Sequence, residues 1–176
     1  MAKVYGFSLI ELLVAVTIML VMVGMGLASY LNFNEKQTVL QATKELETYL
    51  QLAQSKAQSG DVPAGCDQLV AYTVNVGDGA CSAANKLCLK AVCNNGGSLT
   101  EITRSPEYNW DEDLVANNLG VGFRVLQGGL GQLSEGSWQT LATRSVIVSN
   151  QAGTISYQFT VSQGGEIGEI VEVGEE

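Results

Sequence analysis

Two sets of side chains in this sequence could do chemistry. The first is a single carboxylate, Glu11, at the head of a run that carries no charge from Leu12 to Leu31. A carboxylate in apolar surroundings is costly, so it calls for a cationic partner such as an amine. The second is a group of four cysteines, Cys66, Cys81, Cys88 and Cys93, inside a window of 28 residues. In a translocated domain an even number of thiols reads as two disulfides. A zinc site of four thiolates is the rival. Its ligands usually come in close C-x₂₋₄-C pairs, whereas the gaps here are 14, 6 and 4 residues and the chain has no His. No metal and no cofactor are expected. Without His there is no Ser-His-Asp or Cys-His machinery. No pair of carboxylates stands out from the acidic background, so the sequence does not read as an enzyme.

The element that must position Glu11 is the apolar run itself. Its 20 residues from Leu12 to Leu31 would make a helix of ~30 Å, the thickness of a bilayer's hydrocarbon core. A helix apolar on every side belongs in lipid or in a protein core. Three readings of the stretch compete. In the first it is a signal peptide, cut near the small residues Gly26-Leu27-Ala28, although the run exceeds the usual ~7–15 residues. In the second it is a plain single-pass anchor with Glu11 reaching for the interface. The third comes from the residues around Glu11, which read G-F-S-L-I-E-L-L-V-A from Gly6 to Ala15.

That stretch closely resembles the cleavage-and-methylation motif of the type IV pilin and pseudopilin family. The resemblance implies a leader, Met1 to Gly6, with Lys3 as its basic side chain. It implies cutting after Gly6 by a prepilin peptidase on the cytoplasmic side, N-methylation of the new terminus at Phe7, and retention of the helix. Elementary chemistry agrees with the motif. A small Gly6 gives a protease access to the backbone, and cutting there creates an α-amino group at Phe7, charged near neutral pH. Glu11 is the nearest anion to neutralise that amine. The resemblance places the pairing between neighbouring subunits and gives Phe7, Leu9, Leu12 and Leu13 the apolar packing. Alternatively Glu11 favours its own helix N-terminus, where the dipole prefers an anion. Gly24 and Gly26 lie inside the run, marking a bend or a close helix contact, with Gly24 and Ala28 as a small-x₃-small pair. Many type IV pilins carry a Pro near here; this chain has none, so no Pro-type kink is expected.

Beyond the break at Asn32-Phe33-Asn34, Glu35 to Ser59 predicts an amphipathic helix. Val39, Ala42, Leu46, Tyr49, Leu50, Ala53 and Ala57 recur at spacings of mostly three and four. Gly60 and Pro63 end it. Its stripe asks for a β-sheet supplied by the rest of the chain. Leu69–Val76 and Lys86–Val92 predict two strands, with turns at Gly77-Asp78-Gly79 and Asn94-Asn95-Gly96-Gly97. Four cysteines allow three pairings; a hairpin favours Cys66 with Cys93 at its open end and Cys81 with Cys88 at its tip. Ser105-Pro106 predicts the start of a short helix running to Asn118-Leu119-Gly120. The triplet Asp111-Glu112-Asp113 lacks the alternating ligands of a calcium loop and is expected to complement that helix's dipole. Gly120–Gln127 predicts a strand, Gly128–Gly131 a loop, and Arg144–Ser149 with Thr154–Ser162 a hairpin whose Ile155, Tyr157, Phe159 and Val161 share a buried face. A last strand is expected at Glu169–Val173.

These elements give an α+β fold, a long N-terminal helix laid against antiparallel sheets. The organisation expected is a leader at 1–6, a membrane or filament-core helix at 7–31, its amphipathic continuation at 32–60, and a β-rich head at 61–176. The order of elements, with L-x₂-A-Q-S-K-A from Leu50 to Ala57, resembles the GspH/FimT group of minor pseudopilins and minor pilins. The family implies other pilin-type subunits, the prepilin peptidase/methyltransferase, the membrane and an assembly platform as partners. It places the head outside the cytoplasm, first on the cell membrane and then in a filament. Net charge is −9, and no basic residue follows Arg144. That balance argues against nucleic acid, which needs clustered Lys and Arg, and so against a DNA-uptake pilin. The remaining alternative is an anchored binding module that never polymerises.

Overall fold

The computed structural model describes residues 8–77, 81–83, 86–111, 113–117, 119–126, 129–134 and 136–174, except the side chains of residues 25–29 and 105–106. Helix α1 spans Leu9–Ser59. The chain divides into two units, Met1–Gln37 and Thr38–Glu176. The fold is α+β.

In the second unit α1 ends for a local reason. Gly60 adopts φ +64°, a conformation open to glycine at little steric cost. The N–H of Asp61 then returns to the carbonyl of Lys56 at 3.4 Å, as a Schellman-type cap requires. Lys56 Nζ reaches Asp61 Oδ2 at 2.8 Å across the same turn.

Ten strands follow. They are β1 (Gln68–Val76), β2 (Lys86–Asn95), β3 (Ser98–Asn109), β4 (Leu114–Asn117), β5 (Val121–Arg124), β6 (Leu130–Ser134), β7 (Ser137–Thr140), β8 (Thr143–Asn150), β9 (Ser156–Ser162) and β10 (Val171–Val173). They form a six-stranded sheet in the order β3-β2-β1-β5-β6-β7 and a four-stranded sheet in the order β10-β9-β8-β4. The described pairings are all antiparallel.

Val39, Ala42, Leu46, Tyr49, Leu50, Ala53 and Ala57 of α1 are all buried in one cluster. Residues from both sheets join them, among them Tyr72, Val74, Leu89, Phe123, Val146 and Phe159. Thr43 sits within the stripe and is also buried. Its hydroxyl donates to the Val39 carbonyl at 2.8 Å, which removes the cost of an unpaired polar group. In β9 the alternation is as the pattern predicts, with Ile155, Tyr157, Phe159 and Val161 inside.

Three stretches differ from the sequence expectation. Ser105 to Asn109 is strand, not the first turn of a helix. A single β2 residue, Cys88, faces the three residues 105–107 of β3, since Leu87 pairs with Tyr108 and Leu89 with Arg104. Pro has no N–H for a ladder, so it is tolerated at a bulge on an edge strand, and β3 is such an edge. The rest of the expected helix is a turn after Asn109 followed by β4. The expected loop at Gly128–Gly131 is strand from Leu130 onward, with residues 127–128 outside the described set. Gly131 is there because Trp138 lies on it; a Cβ would come within 2.6 Å of the indole ring. The β6–β7 hairpin has no clear period-2 signal.

Leu50→Ala should cost about 2–5 kcal/mol in urea unfolding, as large-to-small core changes do. A loss below ~1 kcal/mol would mean the stripe is not core. At Gly122 a Cβ would lie 2.1 Å from the Tyr72 carbonyl oxygen. Gly122→Ala should therefore break the β1–β5 pairing and lower the melting temperature more than Leu50→Ala does.

Candidate assembly segment

The N-terminal helix begins with a side-chain cap. The N–H of Glu11 points at both the Ser8 carbonyl (3.1 Å) and the Ser8 Oγ (3.3 Å). Ser8 is thus a residue of the N-cap type, satisfying a donor that the first turn leaves over. Glu11 occupies that first turn, where the helix dipole favours an anion. Among the described residues its carboxylate meets no cation. Leu9 is 82% exposed, and Leu12 and Leu13 are also exposed. So are Val14, Val16, Ile18, Met19, Leu20, Val21, Met22 and Val23, and after the undescribed side chains Tyr30, Leu31 and Phe33. Each such aliphatic side chain forgoes roughly 1.5–3 kcal/mol that burial would supply. Gly6 and Phe7 lie outside the described residues. Among the described residues no helix is long and apolar enough to cross a membrane; the uncharged run 12–31 includes residues 25–29, whose side chains are not among them.

The cysteines are joined as Cys66–Cys93, with Cα atoms 5.4 Å apart, and Cys81–Cys88, at 5.7 Å. Closing loops of these lengths restricts the unfolded chain by about 2–4 kcal/mol each in the chain-entropy account. A polar side chain reinforces each bridge. Asn95 Oδ1 accepts the N–H of Asp67 at 2.9 Å, and its Nδ2 donates to the Gly65 carbonyl (3.2 Å) and Thr100 Oγ1 (3.0 Å). Those bonds hold the segment around Cys66 against β2 and β3. At the other end Glu107 accepts the N–H of Ser82 (3.2 Å) and the Ser82 hydroxyl. Neither role is visible in the sequence beyond the Asn95-Gly96 turn signal.

The acidic triplet does not head a helix, which corrects its expected dipole role. It lies in the turn between β3 and β4, where Asp111 Oδ1 accepts the N–H of Asp113 at 3.1 Å; Glu112 is outside the described residues. Among the described residues no three His, Cys, Asp or Glu side chains are grouped to hold a metal ion.

Among the described residues two carboxylates are held below their ordinary pKa. The Lys56 hydrogen bond lowers Asp61, helped by the charges of Lys56 and Arg104, the latter 3.9 Å away. The two Ser82 hydrogen bonds lower Glu107. A lowered folded-state pKa gives stability that is present above the unfolded carboxylate range and is lost as pH falls through the folded value. The melting temperature should therefore drop below about pH 4. Asp61→Asn with Glu107→Gln should make that drop shallower; an unchanged slope would show that other groups carry it.

A family model described as Prokaryotic N-terminal methylation motif matches residues 1–27. No curated protein and no solved structure matches the chain. The matched segment contains the Gly6–Phe7 junction, the Ser8 cap and Glu11. It supports a type IV pilin-like prepilin, a structural rather than a catalytic kind of protein.

Proposed function

We propose that this chain is a structural subunit of a type IV pilus or a type II secretion-type filament. The observation that carries this reading is the exposed apolar stretch of α1 headed by the single carboxylate Glu11. Such a surface needs a lipid bilayer before assembly and other helices after it. The prepilin waits in the cell membrane with its head outside the cytoplasm. A prepilin peptidase cuts after Gly6 and the new amine at Phe7 is methylated. The helix then joins a bundle of like helices, Phe7, Leu9, Leu12 and Leu13 packing and Glu11 neutralising a neighbour's terminal amine to set the axial register. The Leu50–Ala57 run and the order of elements favour a minor pilin or pseudopilin of the GspH/FimT kind over a major subunit. The disulfides of the head suit a compartment where thiols are oxidised.

Intact-mass analysis of protein from its native membrane or sheared filaments tests processing. The expected result is loss of residues 1–6 and gain of one methyl. An intact Met1 in cells with working prepilin peptidase would leave an anchored module that does not polymerise. Cleavage after Ala28 would make the helix a discarded signal.

Register is tested separately. Glu11→Ala should leave cleavage and head stability unchanged and cut incorporation into filaments at least tenfold, about 1.4 kcal/mol, with Glu11→Asp restoring part of it. Full incorporation of Glu11→Ala would remove the charge from the mechanism.

A further inference from the structure

Each sheet ends in two open edges, and an open edge offers unpaired N–H and C=O groups to any passing strand. Three of the four edges here are blunted. Edge β3 carries Glu101, Arg104 and Glu107 and is broken by the bulge at 105–107. Edge β10 is three residues long with Glu172 at its centre. Edge β4 follows directly on Asp111-Glu112-Asp113, and its Leu114 carbonyl already accepts the Trp110 indole N–H at 3.1 Å.

The fourth edge, β7, is short too, at four residues, but it lacks the charges and the bulge that guard the others. Its sequence is Ser137-Trp138-Gln139-Thr140, without charge or Pro, and Ser137, Gln139 and Thr140 are exposed. The nearest charges in sequence are Glu135 and Arg144, both outside the strand. The Leu141 N–H donates to the Leu130 carbonyl at 2.8 Å, which fixes which groups face β6. Antiparallel alternation then turns the N–H and C=O of Trp138 and Thr140 to the open side. Among the described residues no backbone hydrogen bond reaches them. The Trp138 ring packs on Gly131 and leaves no space there for a Cβ, which seats β7 against β6.

We propose that the β7 edge is a strand-addition site for an extended, uncharged segment of another protein. Main-chain hydrogen bonds to Trp138 and Thr140 would supply the binding, and neutral side chains opposite Gln139 and Thr140 the fit. A second copy of this chain is a poorer occupant, because two molecules of net charge −9 repel. The site stands whether or not the N-terminus is processed.

The test uses the full chain in detergent micelles and NMR amide exchange. A capped, uncharged Thr-Val-Thr-Val-Thr peptide at millimolar concentration should slow exchange at Trp138 and Thr140 about fivefold or more, with little change at β3 or β10. The same peptide N-methylated at alternate residues should have no effect. Thr140→Pro removes one outward N–H that β6 does not use, and should abolish the response at Trp138. Unchanged exchange with the neutral peptide, or an equal response to the N-methylated one, would overturn the proposal even if Thr140→Pro fails to fold. A dimer seen by light scattering without peptide and lost in Thr140→Pro would overturn it in favour of self-pairing.

Discussion

The second unit depends on the burial of one helical stripe. Val39, Ala42, Leu46, Tyr49, Leu50, Ala53 and Ala57 project from α1 into a cluster that neither sheet could complete alone. The six-stranded sheet contributes Tyr72, Val74 and Leu89, and the four-stranded sheet Val146, Val148 and Phe159. Remove the helix and both sheets would present these side chains to water. That dependence explains why the helix must stop cleanly. The cap at Gly60 and the Lys56–Asp61 pair turn the chain where the stripe runs out. The Tyr72 hydroxyl then donates to the Asp61 carbonyl and ties the turn to β1. Stripe, cap and first strand form one cooperative arrangement.

The same helix answers to two solvents. From Val39 onward its apolar residues keep largely to one side, Leu52 being an exposed exception, and Lys44 is exposed on the other. From Leu9 to Val23 and at Tyr30, Leu31 and Phe33 the described large apolar side chains are exposed, with no comparable polar face. An amphipathic segment satisfies itself within one chain, whereas a segment apolar all round needs lipid or other helices. The change falls near Glu35 and Lys36, where charge first returns after Glu11. One helix thus carries a segment whose apolar stripe its own chain buries and a segment whose described apolar side chains it leaves exposed.

Much of this was legible in the sequence where a period was long and clean. The stripe of α1 follows from spacings of three and four, and the β8–β9 pair from alternation through Val161. The Gly6–Ala15 motif is legible because its residue types are so restricted. Other features depend on contacts that pattern cannot show. Ser105-Pro106 carries the local signature of a helix start, but pairing with β2 absorbs the Pro in a bulge. Gly131 reads as loop until Trp138 is known to lie across it. Asn95 and Glu107 become important only because the fold brings Asp67 and Ser82 to them. The Ser8 cap of α1 is seen only in the structure, where its hydroxyl accepts the Glu11 N–H.

That cap bears on what Glu11 is for. A helix start needs acceptors for its first N–H groups, and Ser8 already provides one with both its carbonyl and its hydroxyl. The hydroxyl alone serves the terminus at little desolvation cost. A carboxylate is a far more expensive acceptor to carry into an apolar setting, because its charge must be neutralised there. An uncharged Gln at the same position would keep helix propensity and polarity without that cost. The presence of Glu11 beside a working hydroxyl cap therefore points to a demand for charge itself. The helix dipole supplies part of a countercharge at no structural expense, but it is worth only about 0.3–1 kcal/mol at an exposed terminus. A full cation is the stronger complement. Among the described residues α1 has no Lys or Arg before Lys36, far beyond side-chain reach of Glu11. In the function proposed above that cation is the terminal amine freed by cutting after Gly6, since residues 12–31 carry no charge of their own.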